Sequence, residues 1–307
     1  MQAKKTAISA SRWQAAFLAR HKLPASYLDY AQRWFTPLAR RLAEHQNGAA
    51  RPVLVAVNGS QGSGKTTVCD FLRENLVQEH ALRVVSLSLD DFYLTLEQRR
   101  RRASELHPLL RTRGVPGTHD MALLQATLDE LLAPAMTRVP IPRFSKAEDD
   151  RLARDAWDTV TGPLDIVLLE GWCLGVRPQP PEELDNAVNA LERDEDRDGR
   201  WRELVNHAIG RDFEPLYRRV DQWVMLCAPS FDCVYNWRLQ QEHKLAQRTV
   251  SGNNRVMSDS EVARFIQFYE RLTRQCLAQL PGRVHHLYRL DEERRVIEER
   301  HSMGGES

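Results

Sequence analysis

Residues 53–67 read VLVAVNGSQGSGKTT, and this stretch decides the fold. Val53 to Val57 form an apolar run of strand length, too short for a buried helix. Behind it, Gly59-Ser60-Gln61-Gly62-Ser63-Gly64-Lys65-Thr66 satisfies G-x-x-x-x-G-K-[ST] at every position, and TTVCDFLRENL then opens a helix. A strand, a glycine-rich turn and a helix start are the context in which that string binds phosphate. The glycines let backbone N–H groups converge on phosphate oxygens, and the helix N-terminus adds its dipole. Lys65 has the reach for β- and γ-phosphates, and the Thr66 hydroxyl can ligate Mg²⁺. Gly59 through Thr67 are therefore the expected nucleotide-binding residues. The guanine-selecting N-K-x-D string is absent, which argues against a GTPase.

Outward from this unit, four more runs of the same kind recur: RVVSLSLDD (83–91), DIVLLEG (165–171), QWVMLCAP (222–229) and VHHLYRL (284–290). Near-continuous apolar character marks strands covered on both faces. Helical stretches at 65–79, 119–132, 230–248 and 258–280 alternate with them. The expected fold is α/β, a doubly wound, parallel, five-stranded sheet of the phosphate-loop kinase type with right-handed crossovers. Residues 1–50 read as a helical N-terminal extension. Trp13, Phe17 and Leu18 recur at helical spacing, as do Tyr27, Tyr30, Trp34, Leu38 and Leu42, before a stop at His45-Gln46-Asn47-Gly48. Residues 51–307 form the main domain, with insertions at about 92–164 and 172–221. The first insertion carries a run of arginines, Arg99 to Arg102, expected on a solvated helix face. The second carries LERDEDRDGRWRE (191–203), where ten of thirteen residues are charged, expected in solvent for the same reason.

With 307 residues, 42% hydrophobic and 28% charged, the chain has the profile of a soluble globular protein that needs no disulfides or metals to hold its core. Lys plus Arg number 43 against 42 for Asp plus Glu, a net charge of +1 that calls for neither nucleic acid nor membrane. The longest apolar run, Trp223 to Ala228, is six residues, far short of a span. Five cysteines without a C-x-x-C pair read as reduced thiols, and MQAKKTAISASRW lacks the apolar segment of a signal peptide. A cytoplasmic location is expected.

Asp90 and Asp91 follow the second strand directly, and Glu170 ends the third. All three should emerge at the carboxyl edge of the sheet, where open α/β folds bind ligands. One such carboxylate can organise Mg²⁺, and another can accept the proton of an attacking hydroxyl.

A phosphate loop followed by a strand ending in D-x-F-Y, and then by one ending in E-G, resembles the uridine kinase, phosphoribulokinase and pantothenate kinase group. The chain is more closely similar to the glycerate kinase family of plants, with its fungal and bacterial relatives. The resemblance rests on Leu89-Asp90-Asp91-Phe92-Tyr93-Leu94-Thr95, Arg113-Gly114-Val115-Pro116-Gly117-Thr118-His119-Asp120 and Pro142-Arg143-Phe144-Ser145-Lys146. It continues in Leu169-Glu170-Gly171-Trp172-Cys173-Leu174-Gly175, Val234-Tyr235-Asn236-Trp237-Arg238-Leu239-Gln240 and Met257-Ser258-Asp259, so that it spans about 52–270. One position departs: the family usually has Asp after P-R-[FY], and this chain has Ser145.

The resemblance implies ATP- and Mg²⁺-dependent transfer to a hydroxyl of a small hydroxy acid, D-glycerate giving 3-phosphoglycerate. It implies Asp90 as base, Glu170 with Thr66 at the metal, and Arg238 as a cation of a lid over the phosphates, ahead of Lys244 and Arg248. Asp91, Tyr93, Arg113, His119, Asp120, Arg143 and Lys146 become the expected acceptor residues. Arg113 leads among the cations because a guanidinium fork matches a carboxylate, with Arg143 and Lys146 behind it. Asp120 fits a helix N-cap equally well, and Phe265, Phe268 and Tyr269 read as core. Two other functions stay open: a nucleoside or pantothenate kinase, opposed by the R-G-x-P-G-T-H-D string, and an ATP-binding switch or assembly protein, opposed by Asp90.

Overall fold

The computed structural model describes residues 10–248 and 257–302, the side chains of 245–248 excepted. Two helices, α1 (Arg12–His21) and α2 (Tyr27–Asn47), precede β1 (Val53–Gly59), α3 (Lys65–His80) and β2 (Val84–Ser88). The first insertion holds α4 (Leu96–Glu105), α5 (Met121–Leu131) and the short strands β3 (Arg138–Ile141), β4 (Phe144–Ser145), β5 (Asp150–Arg151) and β6 (Asp158–Thr161). After β7 (Ile166–Gly171), the second insertion holds α6 (Pro181–Leu184), α7 (Ala190–Glu195), α8 (Arg200–Ala208) and α9 (Glu214–Tyr217). Then come β8 (Gln222–Cys227), α10 (Phe231–Arg248), α11 (Asp259–Gln279), β9 (His286–Leu290) and β10 (Val296–His301).

The main sheet runs β10-β9-β8-β1-β7-β2. Its five parallel strands are those expected from the apolar runs. The sixth, β10, pairs antiparallel with β9 and lies outside the expected set. Its sequence, VIEERH, has one buried valine and is otherwise exposed or nearly so, an edge strand with no apolar run to announce it. By contrast, every residue of β1 and β7 is buried, because helices cover both faces. Register places Val57 and Ser88 level with Glu170, so the carboxyl ends of β1, β2 and β7 converge.

The N-terminal helices pack on α3: Phe17 and Phe35 approach Phe71 with ring centroids 5.6 and 6.4 Å apart. A capping box at Ser11 and Gln14 starts α1. The side chains of Phe17, Phe35, Val55 and Leu72 belong to one continuous core.

Two charged segments expected in solvent are partly internal. Arg99 is fully buried, donating to the carbonyls of Leu94 and Arg111 and pairing with Asp149, whereas Arg100 and Arg101 are exposed. Successive helix residues point about 100° apart, so a run of four cannot share one face. In 191–203, Glu192 pairs with Arg271 at 2.7 Å and Asp196 with Arg202 at 3.0 Å, all four buried. Asp196 also accepts from the Trp201 and Arg202 amides at the start of α8. Charge density there reflects internal pairing as well as solvation.

Candidate active site

The phosphate loop joins β1 to α3. Gly62 sits at φ +78°, and a Cβ there would come within 2.8 Å of the Trp237 side chain, so only glycine fits. Gly64, at φ +91°, is the N-cap of α3. Lys65 lies over the loop, its Nζ donating to the Ser60 carbonyl at 3.1 Å. Ser60 Oγ, Gln61 Oε1 and Ser63 Oγ are buried without a hydrogen-bond partner among the described residues, which leaves the two serine hydroxyls able to donate to phosphate oxygens. Arg294, in the β9–β10 turn, donates to the Gly62 carbonyl at 2.9 Å and lies over Trp237, bracing the loop from outside.

The carboxylates close the site from the neighbouring strands. Thr66 Oγ1 donates to Glu170 Oε1 at 2.8 Å, while Glu170 Oε2 is buried with no partner. A hydroxyl and an orphaned carboxylate oxygen at a helix N-terminus make a fitting donor set for Mg²⁺. β2 ends at Ser88, three residues earlier than the apolar run suggests, because a 3₁₀ turn over Leu89–Phe92 begins there, with Ser88 Oγ accepting from the Asp90 amide. That turn aims the two aspartates differently. Asp90 accepts from Tyr93 Oη at 3.0 Å and from Lys146 Nζ at 2.8 Å. Burial would raise its carboxyl, but Lys146, Lys65 and the Tyr93 hydroxyl outweigh burial and hold it down to about 2. Asp91 accepts from Arg143 at 2.8 Å and from the Phe144 amide at 3.2 Å. Its burial prevails over Arg143 and lifts it above the ordinary carboxylate value. His119 stacks on Tyr93 with centroids 4.5 Å apart, fully enclosed, and neither ring nitrogen has a hydrogen-bond partner of good geometry among the described residues. Burial lowers its pKa to about 4, so the imidazole is neutral at pH 7.

Residues 54–179 match the phosphoribulokinase / uridine kinase family. An "Uncharacterized kinase mug58" of Schizosaccharomyces pombe is 33% identical over 76% of this chain and 84% of its own length. The chloroplastic D-glycerate 3-kinase of Arabidopsis thaliana is 32% identical over 71% of this chain, which spans 46% of that protein. The solved structure of a D-glycerate 3-kinase from Cryptococcus neoformans superposes with a TM-score of 0.69 at 26% identity, covering 87% of this chain and 97% of that one. The chain belongs to the glycerate kinase family. As a member of that family, within the phosphate-loop kinases, it is a phosphotransferase with a hydroxyl acceptor. No helix among the described residues is long and apolar enough to cross a membrane.

The remaining positions on which the likeness to glycerate kinases falls are distributed unevenly. Arg113 ion-pairs with Asp149 and lies 5.4 Å over the Phe144 ring, so in this structure its fork is occupied. Asp120 caps α5 through the Leu123 amide and pairs with Arg151 at 3.0 Å. Arg143 bridges Asp91 and Asp158, tying the β3–β6 hairpin to the end of β2. Ser145 accepts from the Glu148 amide, making the turn that carries Lys146 over Asp90. Arg238 pairs with Glu242 one turn along α10 and lies 5.4 Å over Phe265. Lys244 is exposed, and the side chain of Arg248 lies outside the described residues. Phe268 and Tyr269 are buried, but Tyr269 is more than core: its hydroxyl donates to the Arg113 carbonyl at 3.2 Å, and Asp90 acts on it electrostatically. Neither Tyr269 nor Arg294 carries a local sequence signal for such a place, since each is far along the chain from its partner.

Proposed function

We propose that this kinase transfers the γ-phosphoryl group of ATP, with Mg²⁺, to a hydroxyl of D-glycerate, giving 3-phosphoglycerate. The observation that carries the reading is the Lys146–Asp90 pair, a carboxylate base and a mobile-length cation side by side at the carboxyl edge of the sheet beside the phosphate loop. The likeness to D-glycerate 3-kinases supports the choice of acceptor. The acceptor hydroxyl oxygen attacks the γ-phosphorus, its proton passes to Asp90, and the bond to the bridging oxygen breaks so that ADP leaves. Lys146 is 65% exposed and can turn from Asp90 to the acceptor carboxylate, leaving an Asp90 oxygen free for the hydroxyl. Arg113, although held by Asp149, flanks the same Phe144 and adds positive potential. The neutral His119 ring, with unspent hydrogen-bonding capacity next to Tyr93, is suited to a polar group of the acceptor. Lys65 and Arg238 offset charge on the phosphates, while Thr66 and Glu170 would hold Mg²⁺, which neutralises phosphate charge when bound. α10 serves as the lid that keeps water from the transferring phosphoryl group. Five free, buried thiols fit a reducing, cytoplasmic setting.

The test is ADP release by the wild-type chain with Mg²⁺–ATP and D-glycerate, pantothenate or uridine in parallel, with the phosphorylated product identified by ³¹P NMR. D-glycerate is expected to give the highest kcat/KM. Faster turnover of uridine or pantothenate would assign the nucleoside or pantothenate kinase reading instead. ADP release that no acceptor alcohol accelerates would point to an ATP-driven switch.

A further inference from the structure

The turn between β4 and β5 brings a charge of each sign against the acceptor residues. Its first residue, Lys146, meets Asp90 at 2.8 Å, and its last, Asp149, meets two arginines. Arg99 approaches the Asp149 carboxylate as a fork, Nη1 to Oδ2 at 3.2 Å and Nη2 to Oδ1 at 3.1 Å. Arg113 pairs with Oδ1 as well. Both guanidiniums lie against one ring, Phe144, 5.8 and 5.4 Å from its centroid.

Three observations fix what this cluster suits. First, its cations are better held than its acid. Arg99 is fully buried and donates to the carbonyls of Leu94 at 3.2 Å and Arg111 at 2.8 Å, whereas the Asp149 side chain is 39% exposed. A buried guanidinium needs an anion beside it, but not that particular one. Second, little holds the turn that carries Asp149. β4 and β5 pair through two residues each, Asp149 sits at φ +55° in the left-handed region, and Ser145 Oγ closes the turn by accepting from the Glu148 amide at 3.2 Å. Third, the cluster adjoins the base. Phe144 packs 5.3 Å from Tyr93, whose hydroxyl donates to Asp90 at 3.0 Å, and Asp90 and Arg113 both act electrostatically on Tyr269.

We infer that Arg99 and Arg113 form the binding site for the acceptor's carboxylate, with Asp149 as its internal occupant until an acceptor displaces it. Binding is an exchange: the Asp149 side chain turns to solvent, and the acceptor carboxylate enters the same fork. Because Lys146 belongs to the same turn, the movement also frees the Asp90 oxygen that it holds. An uncharged alcohol has nothing to offer the two arginines in place of Asp149, so the occupant also selects against such acceptors. The inference rests on the reading of the acceptor as a hydroxy acid and goes beyond it by assigning Arg99 and Asp149 to acceptor selection.

The test is calorimetric titration of the full chain, held in Mg²⁺ and ADP so that no transfer occurs. The ligands are D-glycerate and, separately, glycerol, which lacks the carboxylate. Asp149→Asn removes the internal charge and keeps the side-chain shape, and Asn tolerates the left-handed backbone as Asp does. Ser145→Ala removes only the bond that closes the turn and leaves every charge in place, so it decides the matter where Asp149→Asn does not fold. A site open about a tenth of the time binds about tenfold more weakly than one always open. D-glycerate is therefore expected to bind Asp149→Asn about fivefold or more tighter than wild type, and Ser145→Ala about threefold tighter. Glycerol binding should change by less than about twofold in both. Weaker, unchanged or undetectable D-glycerate binding by the variants would overturn the inference, since an Asp149 that supports the arginines gives that result. Equal tightening toward glycerol would overturn it too, as a general loosening of the turn. ADP release by wild type with ATP and D-glycerate tests the acceptor reading separately. Tighter binding without turnover retires D-glycerate as substrate and keeps the arginine site, and turnover without tighter binding does the reverse.

Discussion

Replacing Asp90 by Asn separates chemistry from binding, because it removes a charge and a proton acceptor while conserving shape. In the folded chain the Asp90 carboxylate holds Tyr93 Oη and Lys146 Nζ at 3.0 and 2.8 Å. The amide can still accept from Tyr93 but cannot balance a cation. Lys146 is 65% exposed and is simply released to water, so no buried charge is stranded. The stability cost follows from linkage. The carboxyl is held from its ordinary 3.8 down to about 2, a preference for the ionised form of about 2 kcal/mol. Because the folded value is the lower one, that stabilisation is complete above about pH 4 and fades as the pH falls toward 2. The variant is therefore expected to be up to about 2 kcal/mol less stable than wild type in urea at pH 7, with the gap narrowing between about pH 4 and pH 2. Turnover is expected to fall by about 10²–10⁴-fold, the usual contribution of a general base, with little change in ATP affinity. Asp91→Asn is the control. It loosens the Arg143 clamp and the Phe144 amide contact, and should raise KM for the acceptor more than it lowers kcat. ADP release at saturating ATP and acceptor reads both variants. A folded Asp90→Asn chain with kcat within about tenfold of wild type would refute the reasoning, and so would a large kcat loss confined to Asp91→Asn.

Lys65→Ala removes the main point charge over the phosphates and, among the described residues, a single hydrogen bond, to the Ser60 carbonyl. A folded variant with less than about a tenth of wild-type kcat is expected, and higher activity in the same ADP-release assay would contradict the role. Glu192→Gln strands Arg271, whose side chain is 9% exposed. It should cost about 3–5 kcal/mol in urea unfolding, and a loss below about 1 kcal/mol would show that the pair is not the internal brace described above.

Several features needed no tertiary information because their residues are neighbours in the chain. The phosphate loop is one eight-residue string with a strand before it and a helix after it, and backbone geometry alone converges its amides. The five parallel strands were legible because burial on both faces forces an unbroken apolar run on each of them. Edge strand β10 was not, since an exposed strand needs no such run.

Charge proved the least local property. Arg99 reads like its three neighbours and differs only because the chain brings the Arg111 carbonyl and Asp149 around it. Glu192 looks like part of a solvated run, yet its partner Arg271 lies 79 residues further on. Asp90 and Asp91 are adjacent and chemically identical, and their sequence assigned both to the sheet edge. Only the folded chain, by setting Lys146 against one and Arg143 with the Phe144 amide against the other, pushes their carboxyls in opposite directions. The sequence by itself determined the loop, the parallel sheet and the carboxylate-bearing strand ends, because each follows from backbone geometry or from burial of contiguous residues. Tertiary structure alone decided which charges are paired, because electrostatic energy depends on distance and burial in space and not on separation along the chain.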